Sequence, residues 1–287
     1  MKADRHSRTA ENAAGLRALH TRYEEAQIFS DPYAEQLTSG VWRFILRWKP
    51  LARRVLRPTL FALVANRGQI LSRSRYAEEG LAAAVAAGVR QYVIVGAGMD
   101  SYALRHSGPG DLVVYEVDHP VLQARKQARL AALRLQPQVA VRYCPVDFER
   151  EGLFDGLARG GFDAAQPAYF NWLGVSYYLT REAIAATLRG VAAHAAAGSE
   201  LVFDYSIPEA QRTGVDAKVW AILKRGAERK GEPLLSFFSH EEMEALVREC
   251  GLTVVEHLDP AEVHRRWFAG RSDGLWSLAT GLVRCRV

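Results

Sequence analysis

The residues best suited to chemistry form a glycine-rich turn followed by an isolated carboxylate. An apolar run at residues 93–95 leads directly into Gly96, Ala97 and Gly98, and a second apolar run ends at Asp118, 22 residues after Gly96. Glycines allow a sharp turn and a close approach of the backbone to a ligand. An acid at the end of the next strand can accept hydrogen bonds from both ribose hydroxyls. The combination predicts a site for an adenosine-bearing cofactor.

The residues after the glycines distinguish between two such cofactors. A dinucleotide fingerprint needs glycine or alanine at the position that Ser101 holds, and Asp100 would repel a pyrophosphate but tolerate a cationic sulfonium. A second acid, Asp147, precedes Phe148 after the third predicted strand. Its carboxylate can accept a hydrogen bond from the exocyclic amine of an adenine, and the aromatic ring of Phe148 can pack on the base. S-adenosylmethionine therefore fits better than NAD.

The elements that position these residues follow an α/β pattern. From about residue 91, short β-branched runs alternate with helical stretches, as in a parallel sheet covered by helices on both faces. Pro120 suits the first turn of a helix reaching residue 133, Thr180 can cap a helix over 181–196, and Ser239 with Glu242 forms a capping box. The predicted strands are 91–95, 112–117, 139–144, 168–172, 199–205, 253–257 and one within 275–286.

The first 75 residues differ in pattern and charge. They carry 14 Lys and Arg against 6 Asp and Glu, whereas residues 76–287 carry 23 against 26. Their pattern is helical, with a helix at about 9–27 and basic amphipathic helices interrupted at Pro50 and Pro58. We interpret residues 1–75 as a helical cap or lid on a core of residues 76–287. A helical insertion lies at about 206–235, and the whole is expected to form one compact domain.

Composition and cysteine usage exclude several classes of protein. Hydrophobic residues make up 49% of the chain and charged residues 24%, which is typical of a folded globular protein and not of a disordered one. The three cysteines have no metal-ligand spacing, so we expect neither a zinc site nor disulfides. We expect the protein to lie in a reducing cytoplasm. No apolar signal-peptide region precedes residue 17, and no run is long enough to span a membrane. No nucleic-acid module accompanies the basic region.

Longer runs resemble a known family. The runs are RSRY, GAGMDS, YEVDHPVLQARK, PVDF and GVSYYLTREAI. They resemble the leucine carboxyl methyltransferase-like family, and most closely its bacterial branch of S-adenosylmethionine-dependent O-methyltransferases, over residues 73–258. The resemblance implies a class I methyltransferase fold, which is Rossmann-like, with a mostly parallel seven-stranded sheet, helices on both faces and an N-terminal helical lid. It also implies S-adenosyl-L-methionine as the cofactor.

The resemblance assigns cofactor contacts position by position. Arg73 or Arg75 matches the arginine that pairs with the methionine carboxylate, and one sequence leaves that choice open. Leu173 stands where many relatives carry a glutamate, so a contact to the ammonium end is expected from Asn171 or a backbone carbonyl instead. The other matching positions, from the methionyl to the adenine end, are Gly96, Ala97, Gly98, Asp118, Asp147 and Phe148.

The resemblance implies methyl transfer to oxygen. A carboxylate acceptor needs no general base, whereas a phenol or alcohol benefits from one. We expect the acceptor to be a carboxylate or phenolic hydroxyl of a small, acidic or polyketide-like metabolite. The alternatives are a protein carboxyl methyltransferase and a degenerate S-adenosylmethionine-binding module, the latter suggested by Leu173. Candidates for base or acceptor-positioning groups, with none assigned, are Tyr177, Tyr205 and His240, then His119, His264 and Tyr178.

The basic and apolar stretch over residues 42–64 has three interpretations. It can form a lid over the acceptor, lie on a membrane surface, or form a contact in a homo-oligomer. Because the variable helical parts of the family cover the acceptor, the lid is the preferred interpretation. The arginines of this stretch would suit an anionic acceptor.

Overall fold

The computed structural model describes residues 2–38, 40–56, 61–148, 150–229, 231 and 233–287, and side chains from residue 9 onward except at 53–56 and 61. Within these residues a single sheet is covered by helices. The strands are β1 (Gln91–Val95), β2 (Val113–Asp118), β3 (Ala140–Pro145), β4 (Ala168–Trp172), β5 (Glu200–Ser206), β6 (Thr253–Leu258) and β7 (Thr280–Arg286). The helices are α1 (Lys2–Tyr23), α2 (Ala34–Leu37), α3 (Gly40–Arg47), α4 (Lys49–Leu56), α5 (Phe61–Ala86), α6 (Tyr102–Arg105), α7 (Pro120–Leu133), α8 (Leu153–Arg159), α9 (Arg181–His194), α10 (Gly214–Arg229), α11 (His240–Glu249) and α12 (Pro260–Trp267).

The strand order confirms the predicted fold class. The seven strands lie in the order β3-β2-β1-β4-β5-β7-β6, and only the pairs that include β7 are antiparallel. The order reverses between β1 and β4, which are parallel neighbours. In open α/β sheets, ligands bind outside the carboxyl ends of the strands at such a reversal. The glycine turn that follows β1 lies there.

Local capping explains where the helices of the core begin. Pro120 is the first residue of α7, the Thr180 hydroxyl accepts a hydrogen bond from the Ala183 amide at 3.2 Å, and Ser239 forms the predicted capping box with Glu242. Helix α10 occupies the predicted insertion. These helix starts are confirmed because each depends on residues within one turn.

The boundaries of the first helix were predicted less well. We expected a helix at about 9–27, whereas α1 begins at Lys2 and ends at Tyr23. The chain turns away because the His20 Nε2 accepts from the Ile28 amide at 3.0 Å and the Thr21 hydroxyl accepts from the Asp31 amide at 2.8 Å. Pro50 lies in the first turn of α4, and Pro58 lies outside the described residues.

The core fills both faces of the sheet. Phe170, Trp172 and Phe203 pack on the face covered by α8, α9 and α11, and Tyr92 and Val202 pack on the face covered by α5 and α12. Strands buried on both faces consist of nearly continuous apolar residues, which is why β1 and β4 were predicted at their observed bounds.

The N-terminal helices pack on the core beside the glycine turn. Ala14 of α1 packs against Met99 and Leu104, and Arg17 donates from Nη2 to the Met99 carbonyl at 2.7 Å. Helix α5 runs through residue 75, where the predicted lid ends, so one continuous helix joins the two regions. The division into lid and core stays a prediction.

The first basic helix exposes an apolar edge. In α3, Leu46 is buried against α1, whereas Val41 and Phe44 are exposed, as is Trp48 just after the helix. None of the described helices combines the length and the apolar character needed to cross a membrane.

Candidate functional site

The glycine turn is fastened to the end of β2. The Gly98 amide donates to Asp118 Oδ2 and the His119 amide to Oδ1, both at 2.6 Å, and the Gly96 amide donates to the Val117 carbonyl at 2.8 Å. Gly96 and Gly98 have φ angles of +73° and +49°, a region that side chains rarely adopt. Burial raises the pKa of the Asp118 carboxyl, although both amides favour its anion. Asp118 therefore lies where the resemblance places the ribose-binding acid.

The two candidate arginines point in opposite directions. They are two residues apart on α5, and such residues lie about 200° apart around a helix. Arg73 is largely buried and its Nη1 donates to Tyr177 Oη at 2.9 Å and to Asp204 Oδ2 at 3.0 Å. Arg75 is half exposed and pairs with Glu79, one turn along the same helix. Arg73 is the arginine that reaches the carboxyl ends of the strands.

Asp204, on β5, organises the surroundings of Arg73. Its side chain is fully buried, and Oδ1 accepts from the Gly174 amide at 2.6 Å while Oδ2 binds Arg73. Gly174 has a φ of +76°, and a Cβ there would lie 2.6 Å from Arg73 Nη2. Burial disfavours the charge of Arg73, but Tyr177 and Asp204 more than offset this effect and raise its pKa above the ordinary value. We refer to Arg73, Tyr177, Gly174 and Asp204 as the arginine cluster.

Tyr177 accepts one hydrogen bond within the arginine cluster and can donate another outside it. Its hydroxyl oxygen accepts from Arg73, so its own proton remains available for a further acceptor. Burial, more than the opposing effect of Arg73, raises its pKa to about 12. The phenol is thus neutral near pH 7 and can donate a hydrogen bond but cannot abstract a proton.

Asn171 offers the acceptor that the position of Leu173 lacks. Its Nδ2 donates to Tyr92 Oη at 2.7 Å, and its buried Oδ1 has no hydrogen-bond partner in the described part of the chain. Buried acceptors rarely remain unpaired. Leu173 packs into the apolar layer beneath α5. An ammonium group is a suitable donor to the Asn171 amide oxygen, so the cofactor fits the residues at the end of β4.

Asp147 and Phe148 lie in the loop after β3. The Val146 amide donates to the Asp118 carbonyl at 2.9 Å, which places this loop beside the ribose candidate. The Asp147 side chain is partly exposed, lies 3.4 Å from Arg150, and is followed by the exposed ring of Phe148. The loop therefore presents a carboxylate and an open aromatic face next to Asp118, as an adenine contact requires.

The remaining candidates lie apart from the arginine cluster. Tyr205 donates to or accepts from His257 Nε2 at 2.7 Å, and the ring of His240 stacks on His257. Tyr205 and His240 line one cavity of about 430 Å³ in which no cofactor candidate takes part. His119 caps α7 by accepting from the Val121 amide at 3.3 Å, and His264 stacks on Phe268 of the same chain segment.

Two features of the site were missed from the sequence. Asp204 is a charged residue within the apolar strand β5, and that interruption was the one available signal. The grouping of His257 and Glu244 with His240 had no such signal, because the three residues come from α11 and β6 and show no recognised spacing.

Comparison with known proteins supports one family. The family model described as leucine carboxyl methyltransferase matches residues 10–192. A Bacillus subtilis protein named "Putative S-adenosyl-L-methionine-dependent methyltransferase YktD" is 32% identical over 298 aligned positions, which cover 98% of this chain and 97% of that protein. A relative of the same description in Mycobacterium bovis is 36% identical over 209 positions, 71% of this chain and 67% of its own. A DUF574-family crystal structure from Streptomyces avermitilis shares the fold, with a TM-score of 0.57, 18% identity and coverage of 93% and 99%.

Proposed function

Since this chain belongs to the leucine carboxyl methyltransferase family and is an S-adenosyl-L-methionine-dependent methyltransferase, we propose that it methylates an oxygen of a small acidic metabolite. The bound cofactor supplies a methyl group already activated by a cationic sulfur. Arg73 would hold its carboxylate, Asn171 its ammonium group, Asp118 its ribose, and Asp147 with Phe148 its adenine. Gly96, Ala97 and Gly98 would leave room for its methionyl part.

The observation that carries the acceptor class is the arginine cluster. At the carboxyl end of the sheet it holds a cation and a neutral phenol donor. Its one carboxylate, Asp204, is fully buried and already accepts from Arg73 and from the Gly174 amide, so the cluster presents no accessible base to an acceptor. A carboxylate acceptor reacts as the anion and needs only alignment and the exclusion of water. A phenolic acceptor would need a base that this cluster lacks. A carboxylate is therefore the acceptor that the site suits best.

Positive charge beside the N-terminal helices supports an acidic acceptor. Arg129 is partly buried, and burial together with nearby Arg43 and Arg125 lowers its pKa. Its Nε donates to the Gln36 carbonyl at 2.8 Å, while its buried Nη2 has no hydrogen-bond partner among the described residues. Glu11 lies among these arginines and pairs with Arg125 at 3.8 Å, so three cations face one acid there, and the remaining positive charge favours the approach of an anion.

The packing of α1 supports a small acceptor. A Cβ on Gly98 would lie 3.0 Å from the Ala10 Cβ, so α1 covers part of the glycine turn directly. A covered strand end admits a small molecule more readily than the terminus of a folded protein. Proteins as acceptors are therefore the less favoured alternative.

Calorimetry tests the cofactor site separately from turnover. S-adenosylmethionine and its demethylated product should bind, NAD should not, and Asp118→Ala should abolish binding. The matched control is Asp111→Ala, since Asp111 lies exposed in the loop before β2 and pairs with the partly exposed Arg90. Equal binding by both variants would contradict the assignment of Asp118.

Transfer of a labelled methyl group tests the acceptor. Panels of small carboxylic acids, phenols and alcohols are compared with a panel of proteins, and base-labile methyl esters of small acids are the expected product. Labelling of proteins alone would overturn the proposal of a small acceptor. Tight cofactor binding without transfer to any class would support the second candidate, a degenerate binding module, for which Leu173 is the observation.

A further inference from the structure

A group of side chains on α11 and β6 plays no part in the methyl-transfer site. His240 and Glu244 are one turn apart on α11, and His257 lies opposite them on β6. One potential ligand atom from each residue lies within 4.8 Å of the others. We refer to these three residues as the histidine cluster. In the described part of the chain it is the one group with the ligand types and spacing of a metal site.

The two distances from Glu244 to the histidines match those between ligands of one ion. Glu244 Oε1 lies 3.5 Å from His240 Nε2 and 3.4 Å from His257 Nδ1. Zinc binds nitrogen and oxygen at roughly 2.0–2.2 Å with tetrahedral geometry, which separates neighbouring ligand atoms by about 3.3–3.6 Å. The carboxylate oxygen is therefore at ligand spacing from both imidazoles.

The ring nitrogen that faces Glu244 is available for a ligand. His257 is almost fully buried, its Nε2 is engaged by Tyr205 at 2.7 Å, and its Nδ1 has no hydrogen-bond partner in the described residues. The ring of His240 lies parallel to it, with centroids 3.6 Å apart. Because the in-plane lone pairs of stacked rings point in parallel directions, binding of one ion by both histidines requires the partly exposed His240 side chain to turn.

Neighbouring groups orient the ligands as they do in metal centres. Arg248 Nη2 binds Glu244 Oε2 at 2.7 Å, which leaves Oε1 toward the two histidines. When Tyr205 accepts from His257 Nε2, the Nδ1 carries the lone pair. Such partners of the ligands fix the tautomer and the carboxylate orientation.

The surroundings favour a cation and give it access. The cavity of about 430 Å³ beside the histidine cluster is lined by His240 and by the acids Glu241 and Asp259. The cation that also lines it, Arg212, is paired with a third acid, Asp216, at 2.9 Å. Because three protein ligands leave one position of a tetrahedral ion open, the cavity can supply a water molecule to that position.

From this geometry we propose that His240, Glu244 and His257 form a zinc-binding site, with Tyr205 and Arg248 as positioning residues. Zinc is the ion that two imidazoles and one carboxylate favour, whereas Mg²⁺ and Ca²⁺ prefer oxygen ligands. The proposal differs from our expectation, drawn from cysteine spacing, that the chain has no zinc site. It is independent of the proposed acceptor.

Titration of the full-length, tag-free protein with ZnCl₂ by calorimetry tests the site. We expect one Zn²⁺ per chain, no binding of Mg²⁺, and, with Co²⁺, the intense visible absorption of a four-coordinate ion. His257→Ala and Glu244→Gln should abolish stoichiometric binding. Arg248→Ala should weaken it by about 10–100-fold, the usual effect of losing a group that orients a ligand.

The control is His194→Ala, because His194 is an exposed histidine at the end of α9, away from the histidine cluster. This variant should bind Zn²⁺ like the natural chain. If His257→Ala fails to fold by circular dichroism, His240→Ala replaces it, since that side chain is partly exposed. No binding by the natural chain, or equal binding by the cluster variants and His194→Ala, would overturn the proposal.

Discussion

Replacing the two arginines of α5 separates a buried ion pair from a surface one. Arg73→Met removes the charge opposite Asp204, whose side chain is fully buried, while Arg75→Met removes one half of a pair that is half exposed. An uncompensated buried charge costs roughly 3–5 kcal/mol. Asp204 keeps its bond from the Gly174 amide, so we expect about 3 kcal/mol for Arg73→Met. For Arg75→Met we expect at most about 1 kcal/mol.

Urea unfolding followed by circular dichroism measures both losses. Addition of Asp204→Asn to Arg73→Met should recover part of the stability, because the double variant no longer buries an unpaired carboxylate. The double-mutant cycle therefore predicts a coupling energy of about 1–3 kcal/mol between the two residues. If the two single arginine variants lost the same stability, or if the losses at residues 73 and 204 simply added, the reasoning would be refuted.

A different substitution of Arg73, to lysine, reports on cofactor binding. A guanidinium binds a carboxylate through two charge-assisted hydrogen bonds. Both hydrogen bonds that Arg73 makes to the described residues start from Nη1. Arg73→Lys keeps the charge and loses the fork, so calorimetry should show it folded but with S-adenosylmethionine affinity reduced about tenfold or more. Unchanged affinity in this variant would remove Arg73 from the cofactor site.

Two further predictions concern the turns around the site. Gly174→Ala should lower the free energy of unfolding in urea by about 1–2 kcal/mol, because the added Cβ would meet Arg73 and the backbone has a positive φ there. Gly190→Ala, at an open position within α9, should raise it by about 0.5–1 kcal/mol. A loss of stability at both positions would contradict this prediction. Arg17, more than Arg105, holds the pKa of the buried Asp31 carboxyl below its ordinary value despite the cost of burial. The stabilisation that the Asp31 carboxylate gives the folded chain should therefore be complete well above about pH 4 and vanish as the pH falls through the lowered pKa. The difference in free energy of unfolding between the natural chain and Asp31→Asn, measured in urea, should accordingly shrink on acidification. A gap that widened in acid would be inconsistent with that direction.

Much of the fold could be predicted because its signals are local. Strands β1 and β4 were located at their observed bounds because strands buried on both faces are nearly continuous apolar runs. Helices α7 and α11 begin at the proline and the capping box that predicted them. The end of α1 could not be predicted, because hydrogen bonds that the Ile28 and Asp31 amides of the next segment donate to His20 and Thr21 decide it.

The same distinction explains the site. The position of Asp118 beside the glycine turn could be predicted because a turn and the end of the next strand are linked by a fixed spacing, and the Gly98 amide donates to it; its contact with the ribose stays a prediction. The choice between Arg73 and Arg75 depended on Asp204, a residue 131 positions along the chain from Arg73. The sequence contains both residues but carries no sign that they pair. The packing of α5 on the face of the sheet that contains β5 brings them together.

Consecutive residues of β5 serve the two sites. Side chains alternate across a strand, so Asp204 faces α5 and holds Arg73, while Tyr205 faces the opposite layer and engages His257. Asp204 and Tyr205 are both fully buried and lie in the last half of the strand, at its carboxyl end. A strand end held from both faces has little freedom to move. The position of the Arg73 guanidinium therefore depends on packing in both layers of the core, and not only on the helix that carries it.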